Sequence, residues 1–206
     1  MNKMLNYDKQ MDWQPVNDYW QSPVDFRKSD VEVESEALTF FIQQPLRITK
    51  IENLGNNLKY KGYGSAEILQ RPYQFQQVHF HHPAEHLIDG QAAAVEVHFV
   101  FESSIGQVLV LALLFKIGQV SSLVQQLVEQ KVAKLELTLP QSSEVYHYLG
   151  SLTTPPLLPG VEWLVVSSDQ LTISQEQMNW FTEHFPTNAR QVQPLQNRKI
   201  EMLKNK

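Results

Sequence analysis

Short runs rich in Val, Leu, Ile, Phe and Tyr recur along most of this chain and commit it to a sheet-based fold. Gly, Pro, Asn or Ser set them apart. The runs predict strands over VEVESEALTFFI (31–42), RITKIENL (47–54), LKYKGYG (58–64), QFQQVHFHH (74–82), AVEVHFVFE (94–102), VLVLALLFKI (108–117), LELTLP (135–140) and EWLVVSS (162–168). Several alternate with period two, the signature of a strand with one buried face. Two stretches read as helices. Ser121 or Ser122 is placed to cap SLVQQLVEQKV, where Leu123, Leu127 and Val128 make an apolar face. Ser174 opens SQEQMNWFTEHF with Gln177 three places on, a capping-box spacing, and Met178, Phe181 and Phe185 then fall on one side. The expected fold is mainly β within the α+β class, a large, twisted, mostly antiparallel central sheet with a few short peripheral helices. No internal repeat or Pro/Gly/Ser-rich linker divides the chain, so a single domain over residues 1–206 is expected.

Composition narrows the chemistry. There is no cysteine, which removes disulfides, thiolate nucleophiles and Cys-type zinc sites, and leaves histidine and carboxylate as metal ligands. A formal charge of −5 argues against a nucleic-acid partner. The longest apolar run, Val108 to Phe115, is too short to cross a bilayer as a helix and suits a strand buried on both faces, so no membrane partner is expected. The N-terminal MNKMLNYDKQMDWQ has no apolar core followed by a small-residue cleavage site. It does not read as a signal peptide, and a cytoplasmic location is expected, export by a non-standard route being the alternative.

The chemistry concentrates between Gln77 and Phe101. Residues i and i+2 of a strand share a face, so His79 and His81 project together with Gln77 while Phe80 points the other way. Glu96, His98 and Val100 share a face of the next strand by the same rule. If those strands are neighbours with polar faces matched, three imidazoles converge. Three nitrogen ligands leave the fourth tetrahedral position of zinc for water, the arrangement of a catalytic rather than a structural site. A single strand histidine is more commonly a hydrogen-bonded or surface residue. A third histidine 17 residues after His81, flanked by a carboxylate on its own face, shifts the balance toward metal, because buried histidine and glutamate need partners. Spacing alone goes no further.

The motifs resemble those of the alpha-class carbonic anhydrases. That family carries a QFHFHW-like segment, an SEH segment, an AELHLVHW-like segment, and GSLTTPP followed by a tryptophan. Here stand QVHFH (77–81), AEH (84–86), VEVHFV (95–100) and GSLTTPP (150–156) with Trp163 downstream. QSPVD (21–25), NAR (188–190) and QPLQNR (193–198) add matches in the family's order, from about Gln21 to Arg198. The resemblance implies zinc-dependent, reversible hydration of carbon dioxide to bicarbonate and a proton, with weak esterase activity as a side reaction. It implies Zn2+ on His79, His81 and His98. Gln77 and Glu96 would orient His79 and His98, and Asn188 stands where the family uses a backbone carbonyl to hold His81. Thr153 resembles the threonine that accepts a hydrogen bond from the attacking hydroxide and donates its own proton to a glutamate, matched here by Glu85. A hydroxyl so committed can only accept, which aims the nucleophile's lone pair at carbon. Thr154 would help with bicarbonate. Val100, Val110, Leu152 and Trp163 match the apolar wall where carbon dioxide rests.

Two departures carry consequences. Asn56 falls at the proton-shuttle position where faster members have histidine; asparagine does not titrate near neutrality, so that relay is missing. His82 is a conceivable substitute. Many bacterial relatives join the region before QSP to the residue after TTPP by a disulfide; here Pro15 to Trp20 and Leu157 offer no cysteine, which fits a reducing compartment. The N-terminal aromatic segment is reduced to Tyr7 and Trp13. The expected partner is a small molecule, carbon dioxide or bicarbonate, and the expected state a monomer or homodimer. A catalytically inactive binding module on the same scaffold is the alternative, though such relatives usually lose a zinc histidine and this chain keeps all three.

Overall fold

The computed structural model describes residues 4–131 and 134–205, with backbone alone at 33–36. In chain order the strands are β1 (Asp25–Phe26), β2 (Val31–Ala37), β3 (Phe40–Asn53), β4 (Leu58–Ile68), β5 (Arg71–His81), β6 (Leu87–Ile88), β7 (Gln91–Ala92), β8 (Val95–Glu102), β9 (Val108–Ile117), β10 (Lys134–Leu135), β11 (Glu144–Ser151), β12 (Pro159–Ile173) and β13 (Ile200–Lys204). Helices α1 (Ser122–Val128) and α2 (Gln175–His184) lie at the periphery, with 3-10 turns at Tyr7–Asp12 and Lys28–Asp30.

Among the described residues, ten strands form one sheet in the order β10-β3-β4-β5-β8-β9-β12-β11-β13-β2, and β1, β6 and β7 form a small second sheet. The large sheet is antiparallel except where β9 meets β12 and β2 meets β13. It has hydrophobic clusters on both faces. Alternation sends Val97, Phe99 and Phe101 of β8 to the side covered by α1 and α2, with Leu109, Leu111 and Leu113 of β9. Val110, Ala112 and Leu114 face the other way, with Trp163, Val165 and Tyr148. β9 is therefore apolar throughout because both of its faces are covered, as its sequence predicted.

Both helix caps follow the sequence. Ser121 Oγ accepts from Val124 N at 3.2 Å, and Ser174 with Gln177 forms a reciprocal capping box. The Gln177 amide also donates to the Ser121 carbonyl at 2.8 Å, tying the start of α2 to the cap of α1. The first helix is shorter than predicted: it stops at Val128, and Gln130 turns left-handed at φ 50°. The last predicted residue of that helix, Val132, lies outside the described residues.

Three strand expectations are corrected. Segment 31–42 is two strands, β2 and β3, at opposite ends of the large sheet, with Leu38 and Thr39 between them. LELTLP contributes only Leu135. Lys134 and Leu135 pair with Arg47 and Leu46, and the next partner along β3 is Pro45, which has no N–H to continue the ladder. Finally β11 and β13, unpredicted from sequence, complete the sheet beside β12.

Candidate metal centre

The sheet register decides whether the histidines meet. β5 and β8 are antiparallel neighbours in which His79 lies opposite His98, and His81 opposite Glu96. The rings of His79, His81 and His98 sit with centroids 4.6 to 5.1 Å apart. One ring nitrogen from each falls within 4.8 Å of the others. His81 and His98 are fully buried, while His79 and Gln77 are partly open to solvent and mark the mouth.

Each ring is fixed from behind. Oxygen acceptors take Nδ1 of His79 (Gln77 Oε1, 2.9 Å), Nδ1 of His81 (the Asn188 carbonyl, 2.7 Å) and Nε2 of His98 (Glu96 Oε1, 2.6 Å). Amide and carboxylate oxygens only accept, so each of those nitrogens carries the ring proton. The inward nitrogens are then bare lone pairs. His98 Nδ1 and His79 Nε2 stand 3.3 Å apart with no proton to share, and His81 Nε2 is buried without a hydrogen-bond partner. Three converging lone pairs, two of them 3.3 Å apart, repel one another unless a cation lies between them, and three imidazole donors suit zinc. Burial, reinforced by the neighbouring imidazoles, holds His79 well below the ordinary histidine value and lowers His81 to about 3. Burial also lowers His98, although Glu96 opposes it. Neutral rings are what metal binding requires.

Glu96 anchors a larger network. Its Oε1 accepts from His98 Nε2 and from His86 Nδ1 at 2.7 Å, and its Oε2 accepts from the backbone N–H groups of Glu85 and His86, both at 2.8 Å. Burial opposes its charge, but these donors outweigh it and hold the carboxyl well below the carboxylate range. His86 Nε2 lies 2.6 Å from the Tyr148 hydroxyl, which meets Ser22 Oγ at 2.8 Å. The sequence did not assign roles to His86, Tyr148 or Ser22. His86 and Ser22 do lie in the AEH and QSP segments, but only their burial together reveals the connection.

Glu85 and Thr153 are neighbours, and Glu85 Oε2 is buried without a hydrogen-bond partner. Both are buried, and Glu85 Oε1 accepts from the Arg190 backbone N–H at 2.9 Å. Burial and the Glu96 charge push the Glu85 carboxyl well above its usual value, while Arg190 N–H and the Thr153 hydroxyl beside it pull the other way. Arg190 is a further contributor that the sequence did not single out; its guanidinium bonds Gln21 Oε1 at 2.9 Å and the Ser22 carbonyl at 2.6 Å. Gly150, which begins GSLTTPP, is required by close approach: a Cβ there would stand 2.1 Å from Ser22 Oγ.

The expected apolar wall assembles beside the histidines. Val110 and Trp163 are buried in one cluster against which Val100 and Leu152 pack, and the Trp163 ring is 5.0 Å from that of His98. Thr154 is partly exposed at its edge. Asn56 is buried, its side chain donating to the Leu5 carbonyl at 2.7 Å. His82 is corrected as a relay: it is buried beside Phe181 on the far side of the histidine cluster, and burial lowers its pKa. In place of a crosslink, the Gln21 amide donates to the carbonyl of the fully buried Leu157 at 3.3 Å.

Comparison with known proteins places this geometry. Residues 8–204 match the family model described as eukaryotic-type carbonic anhydrase. A carbonic anhydrase of Pectobacterium atrosepticum is 32% identical over 196 residues, covering 87% of this chain and 78% of that protein. The structure of the alpha-carbonic anhydrase of Thermovibrio ammonificans with the inhibitor sulfanilamide superposes with a TM-score of 0.78 at 28% identity, covering 88% of this chain and 86% of that one. Dioscorin complexed with ascorbate superposes with a TM-score of 0.79 at 26% identity, over 91% and 87% of the two chains.

Proposed function

Because this chain belongs to the alpha family of carbonic anhydrases, we propose that it hydrates carbon dioxide reversibly to bicarbonate and a proton, with zinc held by His79, His81 and His98. The observation that carries the zinc assignment is the set of three bare ring nitrogens converging within 4.8 Å, each ring oriented by its own acceptor. Zinc bound there would make a water molecule acidic enough to serve as nucleophile near neutral pH.

The chain's own residues would do the rest. Gln77, Asn188 and Glu96 hold the imidazoles in the tautomer that presents a lone pair inward. Thr153 would donate its proton to Glu85, leaving its oxygen to accept from the attacking water and fix that water's direction. Val100, Val110, Leu152 and Trp163 would hold carbon dioxide against an apolar wall, since a linear molecule without strong hydrogen-bonding groups is best retained by shape and dryness. Thr154, at the open edge, would meet the bicarbonate oxygens. Activated esters would be attacked weakly by the same nucleophile.

Elemental analysis and carbon dioxide hydration assays test this together. About one zinc per chain is expected, with hydration lost on chelation and restored by zinc, and lost in a folded His98→Ala variant. A metal-free protein, or unchanged hydration in that variant, would sink the assignment.

A further inference from the structure

The N-terminal segment runs between Asn56 and Gln191, on either side of the Glu85 and Asn188 region of the site, and is fastened to both. Leu5, Tyr7, Gln10 and Trp13 turn inward and are partly buried, while Met4, Asn6, Asp8, Lys9, Met11 and Asp12 are exposed. On one side Asn56, 4% exposed, donates from its side-chain amide to the Leu5 carbonyl at 2.7 Å. The Met4 side chain lies over Gly55, where an added Cβ would meet its sulfur at 2.8 Å. On the other side the Gln191 N–H donates to Gln10 Oε1 at 2.6 Å, one residue from the Arg190 N–H that bonds Glu85. Between the fastenings, the Tyr7 ring packs edge-on against Trp13 at 5.2 Å, and its phenol lies near enough to Glu85 to feel that charge.

The segment is also stiffened from within. Asn6 Oδ1 accepts from Asp8 N at 2.9 Å, Gln10 Nε2 donates to the Tyr7 carbonyl at 3.1 Å, and Trp13 N donates to the Gln10 carbonyl at 3.1 Å. Asn56 is in turn held by the site itself, because its carbonyl accepts from Asn188 Nδ2 at 3.0 Å. The position that would carry a proton relay is thus occupied by a latch.

We propose that Met4–Trp13 is a strap, fastened through Asn56 and Gln10, that restricts this site to small substrates and buffers. The proposal rests on the carbonic anhydrase reading of the site. Carbon dioxide and bicarbonate pass beneath the strap, whereas a bulky acyl group needs it to lift.

The test compares the zinc-loaded full chain with Gln10→Ala, which removes one fastening, and Asn56→Asp, which sets a carboxylate oxygen against the Leu5 carbonyl. Losing one ordinary hydrogen bond should speed amide exchange in the strap and at Gln191 by about 2- to 10-fold. The rate ratio for a branched, bulky aryl ester over the aryl acetate should rise at least about threefold in both variants, with carbon dioxide hydration by Gln10→Ala within twofold of the parent. Because the chain has no cysteine, a spin label on Met11→Cys gives a second report of strap motion. Faster exchange with an unchanged ester ratio overturns the size filter, and unchanged exchange overturns the fastenings. If the parent protein hydrates no carbon dioxide, the carbonic anhydrase reading fails first, and the strap's role with it.

Discussion

The His81 imidazole donates through Nδ1 to the backbone carbonyl of Asn188 at 2.7 Å, across 107 positions of sequence. The Asn188 side chain does different work: its Oδ1 accepts from His82 N, and its Nδ2 donates to the carbonyls of Asn56 and Phe80. One residue therefore orients a proposed metal ligand with its main chain and ties three strand-end and loop segments together with its side chain.

Asn188→Ala separates these roles. The carbonyl stays and His81 keeps its acceptor, while the buried His82 N–H and Asn56 carbonyl lose partners. Stability is expected to fall by about 2–4 kcal/mol with zinc content retained. Denaturant unfolding alongside metal analysis checks it; zinc loss at unchanged stability would contradict the division.

Glu96→Gln keeps the size of the side chain but removes the carboxylate that receives four N–H groups. The His98 ring then loses the anion that strengthens it as a donor. Zinc affinity is expected to drop by about 10- to 100-fold, measured by competition with a chelator. Wild-type affinity would show that His98 is oriented by packing alone.

His147 offers a pH test away from the proposed metal centre. Its Nδ1 lies 2.9 Å from Glu201 and its Nε2 3.0 Å from Glu162, which also receives Arg71 and the Tyr73 hydroxyl. Burial opposes the ring's charge, but the two carboxylates outweigh it and raise its pKa above 6.5. A raised folded-state value means stability present in full below pH 6.5 and lost as pH climbs through the elevated value. His147→Gln should therefore cost about 1–2 kcal/mol near pH 6 and much less near pH 9. Parallel melting curves for the variant and parent across that range would rule this out.

Proton export should limit turnover. Asn56 has no titratable group, and His82 is buried away from the mouth. Stopped-flow hydration rates are expected to rise several-fold with added small imidazole buffer and then saturate. A rate independent of buffer concentration would mean that another group carries the proton.

Much of the centre was legible because strand periodicity is strict. With side chains alternating at every residue, HFH and EVH could only place their polar members on common faces, and the GSLTTPP, AEH and QSP segments carried the rest of the resemblance. The helix caps and the doubly buried β9 were equally local. Boundaries set by a distant partner were not: β10 ends where Pro45 of another strand fails to donate, and no property of LELTLP announces that.

The sequence by itself determined which side chains could be ligands and which faces they share, because those depend on residue chemistry and on a two-residue repeat. Only the tertiary structure decided that His79 lies directly opposite His98, that Glu96 serves His98 and His86 at once, and that Tyr148, Ser22 and Arg190 complete the network. It also gave Asn56 a task, since a missing histidine says nothing about what fills its place. Register and burial are set by partners distant in sequence, and the nitrogens meet because β5 and β8 pair with His79 opposite His98 while the Asn188 carbonyl holds His81.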